Sequence, residues 1–146
     1  MKILSAFTLA FALAACVPAT EAQTRTTTDT KGMKVKITLD NQVHYATLAD
    51  NPASRSLMAQ LPFTLPLEDY AASEKIAHPS FKLDIAQAPV RYQGKAGDIT
   101  YYAPWGNLAL FYKGGDDAGG LIYLGKFEGD FQALVTANHI TMEMAE

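Results

Sequence analysis

Residues 97–113 read GDITYYAPWGNLALFYK, and the fold turns on how this stretch is read. Ile99-Thr100-Tyr101-Tyr102-Ala103 is β-branched and aromatic, the composition of a strand. Pro104-Trp105-Gly106-Asn107 concentrates turn formers, and Leu108 to Lys113 supplies a return strand. Two such runs about a short turn predict an antiparallel hairpin. Neighbouring strand residues point to opposite faces, so Tyr101 and Tyr102 cannot both enter one core.

Working outward, the same signals recur. Met33, Val35, Ile37 and Leu39 alternate with Lys34, Lys36 and Thr38, which predicts a half-buried strand. Asp40-Asn41-Gln42 is a turn, and His44 to Leu48 completes a hairpin. Asp50-Asn51-Pro52 starts a helix, with a capping side chain ahead of a proline at the first helical position. Ala53, Leu57, Met58 and Leu61 then recur at helical spacing, and Pro62 stops the run. Phe63 to Leu67 alternates as a strand that Pro66 confines to an edge or a bulge. Residues 73–77 suit a short strand, and residues 79–96 a long ordered loop. Residues 114–120 form a glycine-rich mobile loop, and Leu121 to Glu128 a strand interrupted at Gly125. Asp130 caps a short helix over Phe131 to Thr136, and residues 140–144 close the chain as a strand.

The count is about eight short strands and two short helices without βαβ repetition. That predicts a mainly β domain, a closed eight-stranded antiparallel barrel whose interior is filled by side chains.

Residues 97–113 resemble the signature of the bacterial cyclophilin-like fold proteins. Leu48-Ala49-Asp50-Asn51-Pro52-Ala53-Ser54-Arg55, the run from Leu61-Pro62 to Tyr70, Glu74-Lys75-Ile76 and Gly119 to Gly125 match that family in order and spacing. The resemblance spans residues 33–144 and implies a cyclophilin-type barrel. It implies no reaction, because the family is mostly without one. True cyclophilins isomerise X-Pro bonds with an arginine in a Phe-His-Arg strand motif, followed by a Gly-Phe-x-x-Gln-Gly-Gly segment. Here the corresponding strand is Phe63-Thr64-Leu65-Pro66-Leu67, without arginine, and Arg55 falls on the helix. Only Gly106 to Phe111 is similar to the cyclophilin strand that supplies an aromatic to the proline pocket.

The N-terminus is a separate matter. Lys2, the apolar run Ile3 to Leu13 and the ending Leu13-Ala14-Ala15-Cys16 have the order of a bacterial lipoprotein signal peptide. The apolar run is short of the roughly 20 residues a membrane helix needs. The lipobox resemblance implies cleavage before Cys16, a diacylglycerol on its sulfur, and a membrane as partner. Val17 in place of an aspartate favours the outer membrane, facing the periplasm. Residues 16–32 are threonine-rich and lack apolar periodicity, which predicts a flexible tether. The division is therefore 1–15 leader, 16–32 lipidated cysteine and tether, and 33–146 domain. Cys16 is the single cysteine, so no intramolecular disulfide forms. A formal net charge of −3 without a basic run argues against nucleic acid.

The candidate groove comprises Tyr102, Trp105, Asn107 and Phe111, with Arg55, Glu68 and Tyr70 beside it. Trp105 and Phe111 either plug a barrel end or wall an aromatic site for a peptide or small ligand. Asn107 bonds either the turn backbone or a ligand. Glu68, Asp69, Tyr70 and Glu74-Lys75 form the densest polar group, suited to acid–base work or to a solvated loop. Arg55 belongs on the exposed helix face, paired with a nearby carboxylate. Asp116-Asp117 lacks the ligand spacing of a calcium loop, and no zinc, phosphate-loop or nucleophile-elbow pattern occurs. No metal and no cofactor is expected. The expected function is a noncatalytic, membrane-anchored module binding a peptide or small molecule. The alternatives are a divergent peptidyl-prolyl isomerase acting on envelope proteins, and a hydrolase or lyase built on Glu68, Asp69 or Tyr70.

Overall fold

In the computed structural model the first element is a hairpin of β1 (Met33–Leu39) and β2 (Gln42–Leu48), formed as their alternation predicts. The structure describes residues 32–146. The leader, Cys16 and the tether as far as Lys31 lie outside the described residues. Val35, Ile37 and Leu39 are buried, while Lys34 and Lys36 reach Glu128 and Glu143 at 3.2 and 3.3 Å.

Helix α1 (Pro52–Met58) begins where the capping signal places it. Asn51 Oδ1 accepts from Ser54 N at 2.8 Å, and Pro52 opens the first turn. Ala53, Ser54 and Leu57 form its buried face, and the Ser54 hydroxyl donates to the Leu124 carbonyl at 2.7 Å. Arg55 lies on the exposed face and pairs with Asp50, as expected of it.

The following strands are β3 (Phe63–Pro66), β4 (Glu68–Tyr70), β5 (Glu74–Ala77), β6 (Arg91–Gln93), β7 (Asp98–Tyr102) and β8 (Asn107–Phe111). The last three are β9 (Asp117–Gly119), β10 (Leu121–Glu128) and β11 (His139–Met144). Nine of them form one antiparallel sheet in the order β3-β11-β1-β2-β10-β7-β8-β5-β4, and β6 pairs with β9 separately.

The mainly β expectation is met. The closed eight-stranded barrel is not confirmed, because the hydrogen-bonded order is open, running from β3 at one edge to β4 at the other. The expected strand at Phe63 to Leu67 is shorter. Pro66 offers no N–H, and Leu67 N donates instead to the Asn138 carbonyl at 2.7 Å. The chain then resumes as β4 against β5, so the two edges are successive segments of one run.

Two further expectations are corrected. The second helix is a single 3-10 turn at Gln132–Val135, because Asp130 closes a local turn onto Gln132 N at 2.8 Å and nothing extends it. The stretches 79–96 and 114–120 are not wholly loop: β6 and β9 lie within them, held by Arg91 Nε donating to Asp117 Oδ2 at 2.7 Å.

The β7–β8 hairpin is buried on both sides. Ile99, Tyr101, Leu108 and Leu110 enter the main core, alongside Ile37, Leu124 and Ile140. Ala109 and Phe111 face the other way and build a second cluster with Ile76 and Leu121. That outer face carries the site described next.

Candidate functional site

Strand parity decides what meets on the outer face of β8. Asn107, Ala109 and Phe111 share it, and the register sets each against a partner: Tyr102 across from Asn107, Ile76 from Ala109 and Glu74 from Phe111. One strand further on, Tyr70 stands across from Glu74. Cross-strand partners have Cβ atoms about 5 Å apart, so Tyr102, Asn107, Phe111, Glu74 and Tyr70 form one continuous patch.

The β7–β8 turn bends Trp105 over this patch. Gly106 takes φ +70°, a conformation that favours glycine, and its N–H donates to the Tyr102 carbonyl at 2.8 Å. The Trp105 ring stands edge-on to Tyr102, with centroids 5.3 Å apart and planes at 82°. Tyr70 completes the corner at 5.7 Å and 90°. Trp105 is 57% exposed, whereas Phe111 is 3% exposed. Of the pair expected either to plug a barrel end or to wall a groove, Phe111 is packed and Trp105 is presented to solvent.

A cavity of about 380 Å³ opens between these rings. Phe111 forms its floor, Trp105, Tyr70 and Tyr102 its aromatic wall, and the loop carrying Gly115 and Asp116 its far side. Gly94 and Gly115 lie against the Phe111 ring, where a side-chain carbon at Gly94 would come within 2.6 Å of it. Gly115 N donates to the Gly94 carbonyl at 3.0 Å, which locks the two around the ring. The floor is thereby fixed in place.

Five of the expected site residues meet here: Tyr70, Tyr102, Trp105, Asn107 and Phe111. Arg55 and Glu68 do not line the cavity. Arg55 is engaged with Asp50 on α1. Glu68 shares the face of Tyr70 but sits across from Ile76, further along the strand. Asp69 occupies the opposite face, where it accepts from the Tyr112 hydroxyl at 2.6 Å and faces Lys75 Nζ at 3.8 Å. That hydrogen bond, followed by burial, pushes the Tyr112 hydroxyl up to about 12. Glu68, Asp69 and Tyr70 therefore do not converge on one point.

Asn107 Nδ2 donates to the Leu108 carbonyl at 3.0 Å, a carbonyl of β8 and not of the turn that one reading expected. It is 1% exposed, and its Oδ1 has no partner among the described residues. Such orphaned buried oxygens are uncommon.

Glu74, expected in the densest polar group but not in the groove, joins the site. It lines the cavity half-buried, and burial pushes its carboxyl up to about 7 from an ordinary value near 4.5. The available signal was its parity with Ile76 in a short strand, opposite in direction to Lys75.

A second, more apolar cavity of about 320 Å³ lies between the start of α1, residues 86–89 and Tyr92. Among the described residues its only ionisable groups are the tyrosines Tyr92 and Tyr123. Both hydroxyls are held above the ordinary tyrosine value, chiefly by burial, and Tyr92 also donates to Asp98 Oδ2 at 2.7 Å. Among the described residues no cluster of metal-ligating side chains occurs, and no helix is long and apolar enough to cross a membrane.

A family model described as the Cyclophilin-like family matches residues 37–144. Among solved structures, the solution structure of a hypothetical protein from Archaeoglobus fulgidus is similar to this chain. The likeness has a TM-score of 0.58 at 14% identity, over 78% of this chain and 95% of that one. At that identity the likeness bears on the fold alone. No curated protein matches the chain.

Proposed function

The chain belongs to the Cyclophilin-like family, and from that premise we propose that it is a noncatalytic binding module whose site is the Trp105 cavity. The observation that carries this reading is the pairing of an exposed tryptophan with a rigid, buried floor. An aromatic ring 57% exposed beside a cavity of about 380 Å³ has the size and character of a small-ligand site. Its occupant is a peptide side chain or a small molecule.

The open sheet is read here as a barrel-like curl, with residues 63–70 as the seam where its two edges come together. The leader, Cys16 and the segment to Gly32 are read as a lipid attachment and tether holding the domain at the periplasmic face of the outer membrane.

The isomerase reading is the weaker one. Cyclophilin chemistry rests on an arginine beside the proline pocket, and among the described residues no arginine lines this cavity. The deciding experiment has two parts. Fragment screening of the intact chain, followed by Trp105 fluorescence, is expected to yield ligands that shift the emission. A proline-isomerisation assay on an X-Pro peptide is expected to show no acceleration. An acceleration that disappears in Trp105→Ala or Phe111→Ala would overturn the noncatalytic reading. Metabolic labelling with a fatty-acid analogue tests the anchor: label lost in Cys16→Ser supports it, and label retained refutes it.

A further inference from the structure

The charge of the cavity is not explained by its aromatic walls. Two carboxylates, Glu74 and Asp116, line it, and among the described residues no lysine, arginine or histidine does. Glu74 owes its raised proton affinity to burial alone, with no ion pair or hydrogen bond contributing. Asn107 spends its N–H on Leu108 and leaves Oδ1 unmatched. An unmatched buried acceptor costs about 1–3 kcal/mol, and a desolvated carboxylate also demands a partner. Both demands are of one kind. Each calls for a hydrogen-bond donor, and the carboxylate calls for a positive one. Opposite them Trp105, Tyr70 and Tyr102 supply π-faces, which attract cations and also pack alkyl chains.

We propose that this cavity binds a primary alkylammonium group, its N–H donors serving the Glu74 carboxylate and Asn107 Oδ1 and its alkyl chain lying against Trp105 and Tyr102. The proposal rests on the reading of the cavity as a ligand site and names the ligand's chemistry. An anionic ligand would be repelled by Glu74 and Asp116. A neutral one would leave the carboxylate unpaired. A quaternary ammonium would lack the donors that Asn107 requires. The ammonium is carried either by a lysine side chain of a peptide or by a free alkylamine.

Trp105 is the chain's one tryptophan, so emission from the intact chain reports on this site directly. Three probes separate the possibilities: Nα-acetyl-lysine amide, its neutral isostere Nα-acetyl-norleucine amide, and n-butylammonium. The lysine probe is expected to bind roughly 10- to 100-fold tighter than the norleucine probe, the range for a charge-assisted contact. Binding of n-butylammonium at comparable strength identifies a free amine as sufficient. Binding of the lysine probe alone identifies a peptide-borne amine.

The ionisable groups packed around Glu74 are Tyr70 on β4, Asp69 and Lys75 on the reverse face, Tyr112 after β8, and Asp116 on the loop. With Glu74 as the responsible group, lysine-probe affinity falls about tenfold per pH unit below pH 7. In Glu74→Gln, calorimetry is expected to show the lysine and norleucine probes binding alike, with the pH dependence flattened. Equal binding of the two probes to the wild-type chain, or an undiminished lysine preference in Glu74→Gln, would overturn the proposal. Binding of the norleucine probe alone removes the cation and leaves the cavity reading standing. If neither these probes nor any fragment moves Trp105 emission, both readings fall together.

Discussion

Glu74 lies directly across the β5–β8 ladder from Phe111, so a carboxyl group is set beside the ring that floors the cavity. Its folded-state pKa of about 7 exceeds the value of 4.5 for an unburied glutamate. Between those values the native chain holds a proton that the unfolded chain releases, so this group favours folding at low pH. Its contribution is complete below pH 4.5 and is lost as pH rises through 7. Glu74→Gln is therefore expected to be more stable than wild type at pH 8, by roughly 1–2 kcal/mol after allowance for solvent screening at a half-exposed group. The advantage vanishes near pH 4. Thermal denaturation at the two pH values reads the difference directly, and equal melting temperatures at pH 8 would refute it.

The contrast between Trp105 and Phe111 gives a second expectation. Removing the exposed Trp105 ring forfeits two edge-on aromatic pairs, so Trp105→Ala costs about 1 kcal/mol. Phe111→Ala empties a site enclosed by Gly94 and Gly115 and costs about 3–5 kcal/mol. Urea titration followed by circular dichroism ranks the two. A larger loss at Trp105 would make it a structural plug.

Ser54 offers a test of how α1 is moored. Its hydroxyl is fully buried and donates to the Leu124 carbonyl, where the pairing of β10 with β7 shifts register. Ser54→Ala removes one of the two hydrogen bonds to that carbonyl, which keeps the Ala49 N–H at 2.8 Å, and is expected to cost about 1 kcal/mol. Asn51→Ala removes the cap and is expected to cost about 1 kcal/mol. Denaturant midpoints check both, and a neutral result at either position would show that α1 is held by its apolar face alone.

Gly125 sits in the same irregularity for a steric reason. Any side-chain carbon there would collide with the Thr47 carbonyl oxygen and with Leu48 Cα, both backbone atoms that cannot swing aside. Gly125→Ala is expected to destabilise by about 1–3 kcal/mol through overpacking, although alanine suits a strand better than glycine. A neutral result in chemical denaturation would show that β2 and β10 have room to separate.

These six residues also show what local sequence discloses. The β1–β2 hairpin and the start of α1 were legible because alternation and an Asn-Pro cap are local signals. So was the β7–β8 turn, and with it the aromatic wall, since Tyr101 and Tyr102 must part company on any strand. β4, β6 and β9 were not legible. Each has three residues, too few to display a period, and each exists because a distant partner is present. The open sheet order escaped for a related reason: a strand divided at Pro66 reads as one run until both its partners are known. Glu74 was legible only as a member of a polar group, because its place in the groove and its raised pKa come from burial by residues far along the chain.

The division at Pro66 has a consequence for life among other chains. A sheet edge is a template on which a foreign strand can grow, and long flat edges invite aggregation. Here the two edges are only four and three residues long, Pro66 ends the first without an amide hydrogen to offer, and a single residue separates them. Along these two edges a neighbouring molecule finds no stretch on which to lay down more than a few rungs. The break after Pro66 therefore limits edge-to-edge pairing between copies of the chain at high local concentration.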